Sequence, residues 1–156
     1  MRALVVTASN RALAGIYPDR SGPIVAQGLT ALGFIVDGPQ VVADGDPVEA
    51  ALRSAVATGY DVVVTTGGTG LTPTDLTPEM TRRVIDREIP GIAEAIRAYG
   101  AAAGVQTAAL SRGIAGLAAH TIVVNLPGST GGVRDGLAVL APLLVHAVEQ
   151  VAGSDH

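Results

Sequence analysis

The chain has 156 residues, 48% of them hydrophobic and 15% charged, with a formal net charge of −4 at pH 7; this is one core-rich domain and excludes a disordered chain. It has no cysteine, and all ten basic residues are arginine, which rules out thiol nucleophiles, disulfides, cysteine-bound zinc, a Walker A lysine and lysine Schiff bases. Four aromatic residues and the absence of a basic cluster leave no footprint for a nucleic acid.

Arg2 to Ala8 reads as a buried first strand ending in the polar turn Ser9-Asn10-Arg11. Ala12 to Asp19 reads as a loop punctuated by Gly15 and Pro18. Ser21 to Leu32 has the spacing of a helix, with Ile24, Val25, Gly28, Leu29 and Leu32 near one face and Gly33 placed to end it. Phe34 to Val42 contains a second strand. Asp46 is the expected N-cap of the next helix, with Pro47 at the first helical position and Glu49 three after the cap; the helix runs to about Thr58 and stops at Gly59. Asp61 to Thr66 is a continuous β-branched run, as in a strand covered on both faces.

Thr65 to Glu79 reads TTGGTGLTPTDLTPE and is the most informative stretch. Three glycines in four positions let backbone N–H groups approach a ligand and form an anion-binding nest. Asp75 follows, placed to hold a cation beside that anion. Thr77-Pro78-Glu79 then opens a helix expected to reach about Arg87. Pro90-Gly91 breaks the pattern, and Ile92 to about Ala103 is helical again. Gln106 to Leu110 and Gly113 to Ala119 are ambiguous. Thr121 to Asn125 is another continuous strand. Leu126-Pro127-Gly128-Ser129 turns into a C-terminal helix from about Gly131 to Ala152, which Pro142 should bend or split. No run of apolar residues approaches the roughly 20 needed to cross a bilayer, and a cytoplasmic protein is expected.

Alternating strands and helices predict an α/β three-layer sandwich, a mainly parallel sheet with helices on both faces, in a single domain over residues 1–156. Ligands of such sheets bind beyond the carboxyl ends of the strands. The turns at Ser9-Asn10, Thr65 to Thr74 and Asn125 to Ser129, with Asp44 and Asp46 after the second strand, are expected to converge on one rim. Each candidate also has a purely structural reading. Asp75 can cap a turn. Asp46 is better explained as a helix cap than as a site acid, which leaves Asp44. Gly67, Gly68 and Gly70 can form a tight turn. Glu79 can serve the helix dipole, and Ser111 and Arg112 can be surface residues. Ser129 suits both a helix N-cap and a phosphate ligand, and Asn125 can satisfy backbone groups at a strand end. His120 and His146 lack metal-ligand spacing, and His156 is terminal.

The glycine stretch, then Leu110-Ser111-Arg112-Gly113, then Asn125-Leu126-Pro127-Gly128-Ser129, resemble the MogA/MoaB family of molybdenum cofactor biosynthesis in order and spacing. The loop Gly15-Ile16-Tyr17-Pro18-Asp19 and Ser21-Gly22 also fit that family's opening. The resemblance implies a molybdopterin-binding-domain fold, commonly trimeric. It implies adenylyl transfer from ATP with Mg²⁺ to the terminal phosphate of molybdopterin, and hand-over of the product to a molybdenum insertion protein. Asp44 and Asp75 are the implied catalytic and metal-holding acids. Ser9, Thr66, Gly67, Gly68, Thr69, Gly70, Glu79, Ser111, Arg112, Asn125, Pro127, Gly128 and Ser129 are the implied substrate contacts. Two positions depart from the family pattern. Asn10 stands where many members have aspartate, and Thr130-Gly131-Gly132 stands where a proline and a basic residue often follow, a loss that Arg134 or Arg11 would have to make good. These departures motivate an alternative, a non-catalytic molybdopterin-binding carrier or sensor. A dinucleotide-binding domain is a weaker reading, because the glycine spacing differs and no helix opens directly after it.

Overall fold

Alternation along the strands decides the layering. In the computed structural model, which describes residues 1–154, strand β1 (Arg2–Ala8) sends Ala3 and Val5 to one face and Leu4, Val6 and Ala8 to the other. Strands β3 (Val62–Thr66) and β6 (Thr121–Leu126) divide in the same way, with Val63 and Val123 facing opposite to Val62, Val64, Ile122 and Val124. A strand apolar on both faces must be covered on both. On one side lie α2 (Ser21–Ala31), α5 (Pro90–Ala102), α6 (Thr130–Leu140) and α7 (Leu144–Val151); on the other lie α3 (Asp46–Thr58) and α4 (Thr77–Arg82). Leu29, Leu52, Leu126 and Leu140 are fully buried, each contributing about 1.5–3 kcal/mol relative to exposure.

The sheet has six strands in the order β2-β1-β3-β6-β5-β4. Strands β2 (Ile35–Val42), β1, β3 and β6 are parallel; at one edge β5 (Ala115–Ala118) runs antiparallel to β6, and the two-residue β4 (Arg87–Glu88) runs antiparallel to β5. The three-layer α/β arrangement expected from the sequence is present, as a mixed sheet.

Several boundaries differ from expectation for local reasons. Gly45, not Asp46, occupies the cap position before α3; its φ of 89° suits glycine, and Asp46 is the first helical residue, 3.5 Å from Arg83. Helix α4 ends at Arg82 instead of about Arg87, because sheet pairing claims the following chain: the Asp86 and Ile89 amides donate to the Leu117 and Ala115 carbonyls at 2.7 and 2.8 Å. Pro90 starts α5 rather than breaking a helix, in keeping with proline at a first helical turn. Asn10–Leu13 forms one helical turn, α1, capped by Ser9 Oγ accepting from the Ala12 amide at 3.1 Å. Pro142 lies at the break between α6 and α7, whose axes differ by 56°. Among the described residues no single helix is long and apolar enough to cross a membrane. Of the histidines considered above, His156 lies outside the described residues.

Candidate active site

From β1 the chain crosses through α2 to β2 on one side, while β3 pairs with β1 on the other. The strand order reverses at β1, so a crevice opens beyond the carboxyl ends there. A cleft of about 780 Å³ occupies this position. Strand β1 delivers Ser9 and Asn10 to it, β2 delivers Asp44, β3 delivers Thr66, Gly67 and Gly68, and β6 delivers Gly128. Asp75 completes the rim.

The glycine loop is held by its own backbone. Gly67 and Gly68 have φ of 90° and 67°, left-handed values that favour glycine. A Cβ at Gly67 would lie 2.3 Å from the Ala8 carbonyl oxygen, and one at Gly68 would lie 2.2 Å from Thr77 Oγ1 and 3.1 Å from Asp44 Oδ1. Thr77 fastens the loop from below: its hydroxyl donates to the Gly67 carbonyl at 2.9 Å and its amide to the Gly68 carbonyl at 3.0 Å. Among the described residues, no acceptor takes the amide N–H of Gly68, Thr69 or Gly70. Of these three, Gly68 lines the cleft, and a loop amide without a protein partner there favours an anion.

The two acids flank this loop. Asp44 and Asn10 exchange hydrogen bonds: the Asn10 amide donates to Asp44 Oδ2 at 3.2 Å, and the Asp44 amide donates to Asn10 Oδ1 at 3.0 Å. An aspartate at position 10 would offer the same acceptor, so this departure preserves the geometry and removes one negative charge. Asp75 Oδ2 accepts from both the amide and hydroxyl of Thr72, at 2.9 and 2.7 Å. Burial raises the Asp44 carboxyl above the ordinary aspartate range; the Asn10 amide opposes the rise and the charge of Asp75 adds to it.

Other predicted contacts lie outside the cleft lining. The Arg112 guanidinium is occupied within the protein: Nε donates to the Gly70 carbonyl at 2.9 Å, Nη2 donates to the Asp75 carbonyl at 2.6 Å, and the fork pairs with Glu79. The Arg112 amide donates to the Thr69 carbonyl at 2.8 Å. This pairing holds the Glu79 carboxyl below its usual range. Arg112 and Glu79 therefore position the glycine loop and the Asp75 turn. Arg97 secures the segment that carries Arg112, donating to the Ser111 and Gly113 carbonyls at 3.3 and 2.9 Å. Asn125 is 3% exposed; its amide donates to Thr65 and Thr81 hydroxyls, both at 3.0 Å, and its Oδ1 accepts from the Ile114 amide at 3.2 Å. Every side of that amide is satisfied inside the protein, so Asn125 fastens β6 to β3 and α4 and has no donor left for substrate. Ser111 Oγ lies 3.4 Å from the hydroxyl of the buried Thr69. Ser129 caps α6 by accepting from the Gly132 amide at 3.1 Å, and the Pro127 carbonyl accepts from Thr66 Oγ1 at 2.7 Å. Thr69, Gly70, Ser111, Pro127 and Ser129 stand behind the lining as its supports.

A family model described as "Probable molybdopterin binding domain" matches residues 4–146. The chain belongs to this molybdopterin-binding-domain family. It is 39% identical over 155 residues to a molybdenum cofactor biosynthesis bifunctional protein of Synechococcus elongatus, covering 99% of this chain and 48% of that protein. The chain thus spans about half the length of that relative. It is 35% identical over 154 residues to a protein of Helicobacter pylori named molybdopterin adenylyltransferase, covering 96% of this chain and 87% of that one. The solved structure of the molybdopterin biosynthesis Mog protein from Mycobacterium ulcerans superposes with a TM-score of 0.92 at 50% identity, covering 98% of this chain and 97% of the other.

In this molybdopterin-binding domain the cleft also contains residues outside the set of implied substrate contacts. Asp19 Oδ2 accepts from Thr7 Oγ1 at 2.7 Å and Oδ1 accepts from the Gly22 amide at 2.9 Å, tying the end of β1 to the start of α2. Arg11, Tyr17, Arg20, Thr72 and Thr74 line the same space. Arg134 is exposed and is not part of the lining, whereas Arg11 is. The signal for the Gly15 to Gly22 segment was its match to the family's opening; nothing local in it marked a site.

Asp44 also makes the domain sensitive to pH. Its folded carboxyl binds a proton more tightly than the unfolded one, so stability falls as pH rises through the unfolded value of about 3.9 and levels off above the folded value. Asp44→Asn removes that loss while Asn Oδ1 still accepts from the Asn10 amide. The melting temperature of Asp44→Asn should equal wild type near pH ~3 and exceed it by about 1–2 °C at pH ~7, a small gain because solvent screens a half-buried charge. Equal melting at the higher pH would contradict the assigned strain.

Proposed function

We propose that this domain transfers the adenylyl group of ATP to the terminal phosphate of molybdopterin, giving adenylyl-molybdopterin and pyrophosphate. A phosphate oxygen of molybdopterin attacks the α-phosphorus of ATP; that P–O bond forms as the bond to the leaving pyrophosphate breaks. The phosphate monoester has its second pKa near ~6, so the nucleophile is already ionised and no strong base is needed. The demand on the protein is to bring polyanions together in line and to neutralise developing charge. The observation that carries the reading is the pair Asp44 and Asp75 beside the glycine loop, whose Gly68 amide is open in the switch-point cleft. The relative named molybdopterin adenylyltransferase supports it.

The donor set fits magnesium as a nucleotide-borne ion. Among the described residues no cluster of three or more acids or histidines forms a metal cage, and magnesium uses one or two carboxylates with substrate oxygens. Asp44 and Asp75 supply two such carboxylates. The ion would contribute charge neutralisation at the phosphates. Asp44 and Asp75 orient the polyphosphate, and the loop amides bind its oxygens. A cytoplasmic homotrimer that passes its product to an insertion protein completes the proposal; exposed Tyr99, Val105 and Leu110 along α5 and the following turn favour self-association.

Incubating the purified protein with molybdopterin and Mg-ATP should release pyrophosphate and yield adenylyl-molybdopterin. Tight pterin binding with no pyrophosphate would overturn the transferase and favour the carrier, the reading that the uncharged Asn10 beside Asp44 favours.

A further inference from the structure

The cleft has to accept several phosphates, yet it is lined by three acids, Asp19, Asp44 and Asp75, and by two cations, Arg11 and Arg20. The arginine that the motif singles out, Arg112, is spent on Glu79, Gly70 and Asp75. Most other arginines are engaged as well. Arg2 pairs with Asp37, Arg53 and Arg83 with Glu49, Arg82 with Glu88, and Arg97 donates to main-chain carbonyls. The side chains of Arg11 and Arg20 make no hydrogen bond or ion pair with the described residues, and both residues line the cleft. Asp19 forms no ion pair with either one; its two oxygens accept from Thr7 and Gly22.

We infer that Arg11 and Arg20 are the phosphate-binding side chains of this cleft, recognising a phosphate ester or polyphosphate brought by substrate. The inference deepens the adenylyl-transfer reading and rests on it for the identity of the substrate. A guanidinium offers a planar fork of N–H donors that matches phosphate oxygens two at a time. Arg11 follows the turn at the end of β1, and Arg20 directly precedes α2. A phosphate held from those two positions shares the cavity with the open amide of Gly68. The chain has no lysine to share the task.

The test is calorimetric titration of the whole chain with inorganic tripolyphosphate, alongside steady-state kinetics. Arg11→Ala and Arg20→Ala should each weaken tripolyphosphate binding about tenfold or more, with Arg→Lys versions recovering part of the loss and circular dichroism unchanged. Both side chains are exposed and make no internal bonds, so the variants should fold. In kinetics KM should rise more than kcat falls. A rise in KM for ATP alone assigns the groups to the nucleotide, and a rise for molybdopterin alone assigns them to the pterin phosphate; either supports the inference. Tripolyphosphate binding that is absent in wild type, or unchanged in the double alanine variant, overturns it. If wild type binds tripolyphosphate through these arginines but forms no adenylyl-molybdopterin, the anion site stands and the transferase reading falls.

Discussion

Asp75→Asn should lower AMP transfer by about 10²–10³-fold, the size of effect seen when one preorganised electrostatic group is removed from a reacting centre, while leaving the fold intact. The substitution is nearly isosteric. Asn Oδ1 can still accept from the Thr72 amide and hydroxyl, which bind Asp75 Oδ2 at 2.9 and 2.7 Å. The turn that carries the residue is also held from behind by Arg112, through the Asp75 carbonyl and not its side chain. What disappears is one of two negative charges facing the glycine loop. Pyrophosphate release measures the loss, and an unshifted melting curve shows that it is chemical. Undiminished transfer by folded Asp75→Asn protein would remove this residue from the mechanism.

Gly68→Ala should damage both stability and activity. The φ of 67° costs an L-residue about 1–2 kcal/mol, and the new methyl would sit 2.2 Å from Thr77 Oγ1, an overpacking that costs about 1–3 kcal/mol. The melting temperature should fall by roughly 4–20 °C. Thr77 is buried and bonded to the loop at two points, so it cannot move aside without releasing the Gly67 and Gly68 carbonyls. AMP transfer should fall by about 10²-fold through misplacement of the amides. Gly15 is the control, since its φ is 72° but a Cβ there meets nothing within 4 Å. If Gly15→Ala and Gly68→Ala melt alike and transfer AMP alike, close packing around the loop is not what the glycine serves.

Much of this architecture was legible in residue order. The β-branched run at Val62–Thr66 and the apolar run from Thr121 to Asn125 gave the central strands, and Pro142 gave the break between α6 and α7. The antiparallel edge was not legible, because β4 is two residues long and exists only through its pairing with Leu117 and Gly116. In the site, the strand-end rule brought Asp44, the glycine loop and Asp75 to one rim. It could not show that Arg112 turns inward onto Gly70, or that Asn125 spends its amide on Thr65, Thr81 and Ile114. Both residue types suit substrate and scaffold equally, and only the neighbours decide. Arg11 was legible only as one of two arginines able to replace the missing basic residue, and Arg20 escaped notice for the converse reason: a free arginine has no pattern.

Each of the two rim aspartates commits one oxygen to the protein, Oδ2 of Asp44 to Asn10 and Oδ2 of Asp75 to Thr72, leaving Oδ1 on each. A cation held there would find one uncommitted oxygen on each carboxylate. That denticity suits the small octahedral ion and is poor for calcium, which gathers more oxygens and often takes a carboxylate by both. With a nucleotide present, magnesium should therefore raise the melting temperature of the chain more than calcium does, and the reverse order would mean that these carboxylates swing free of their turns when a metal arrives.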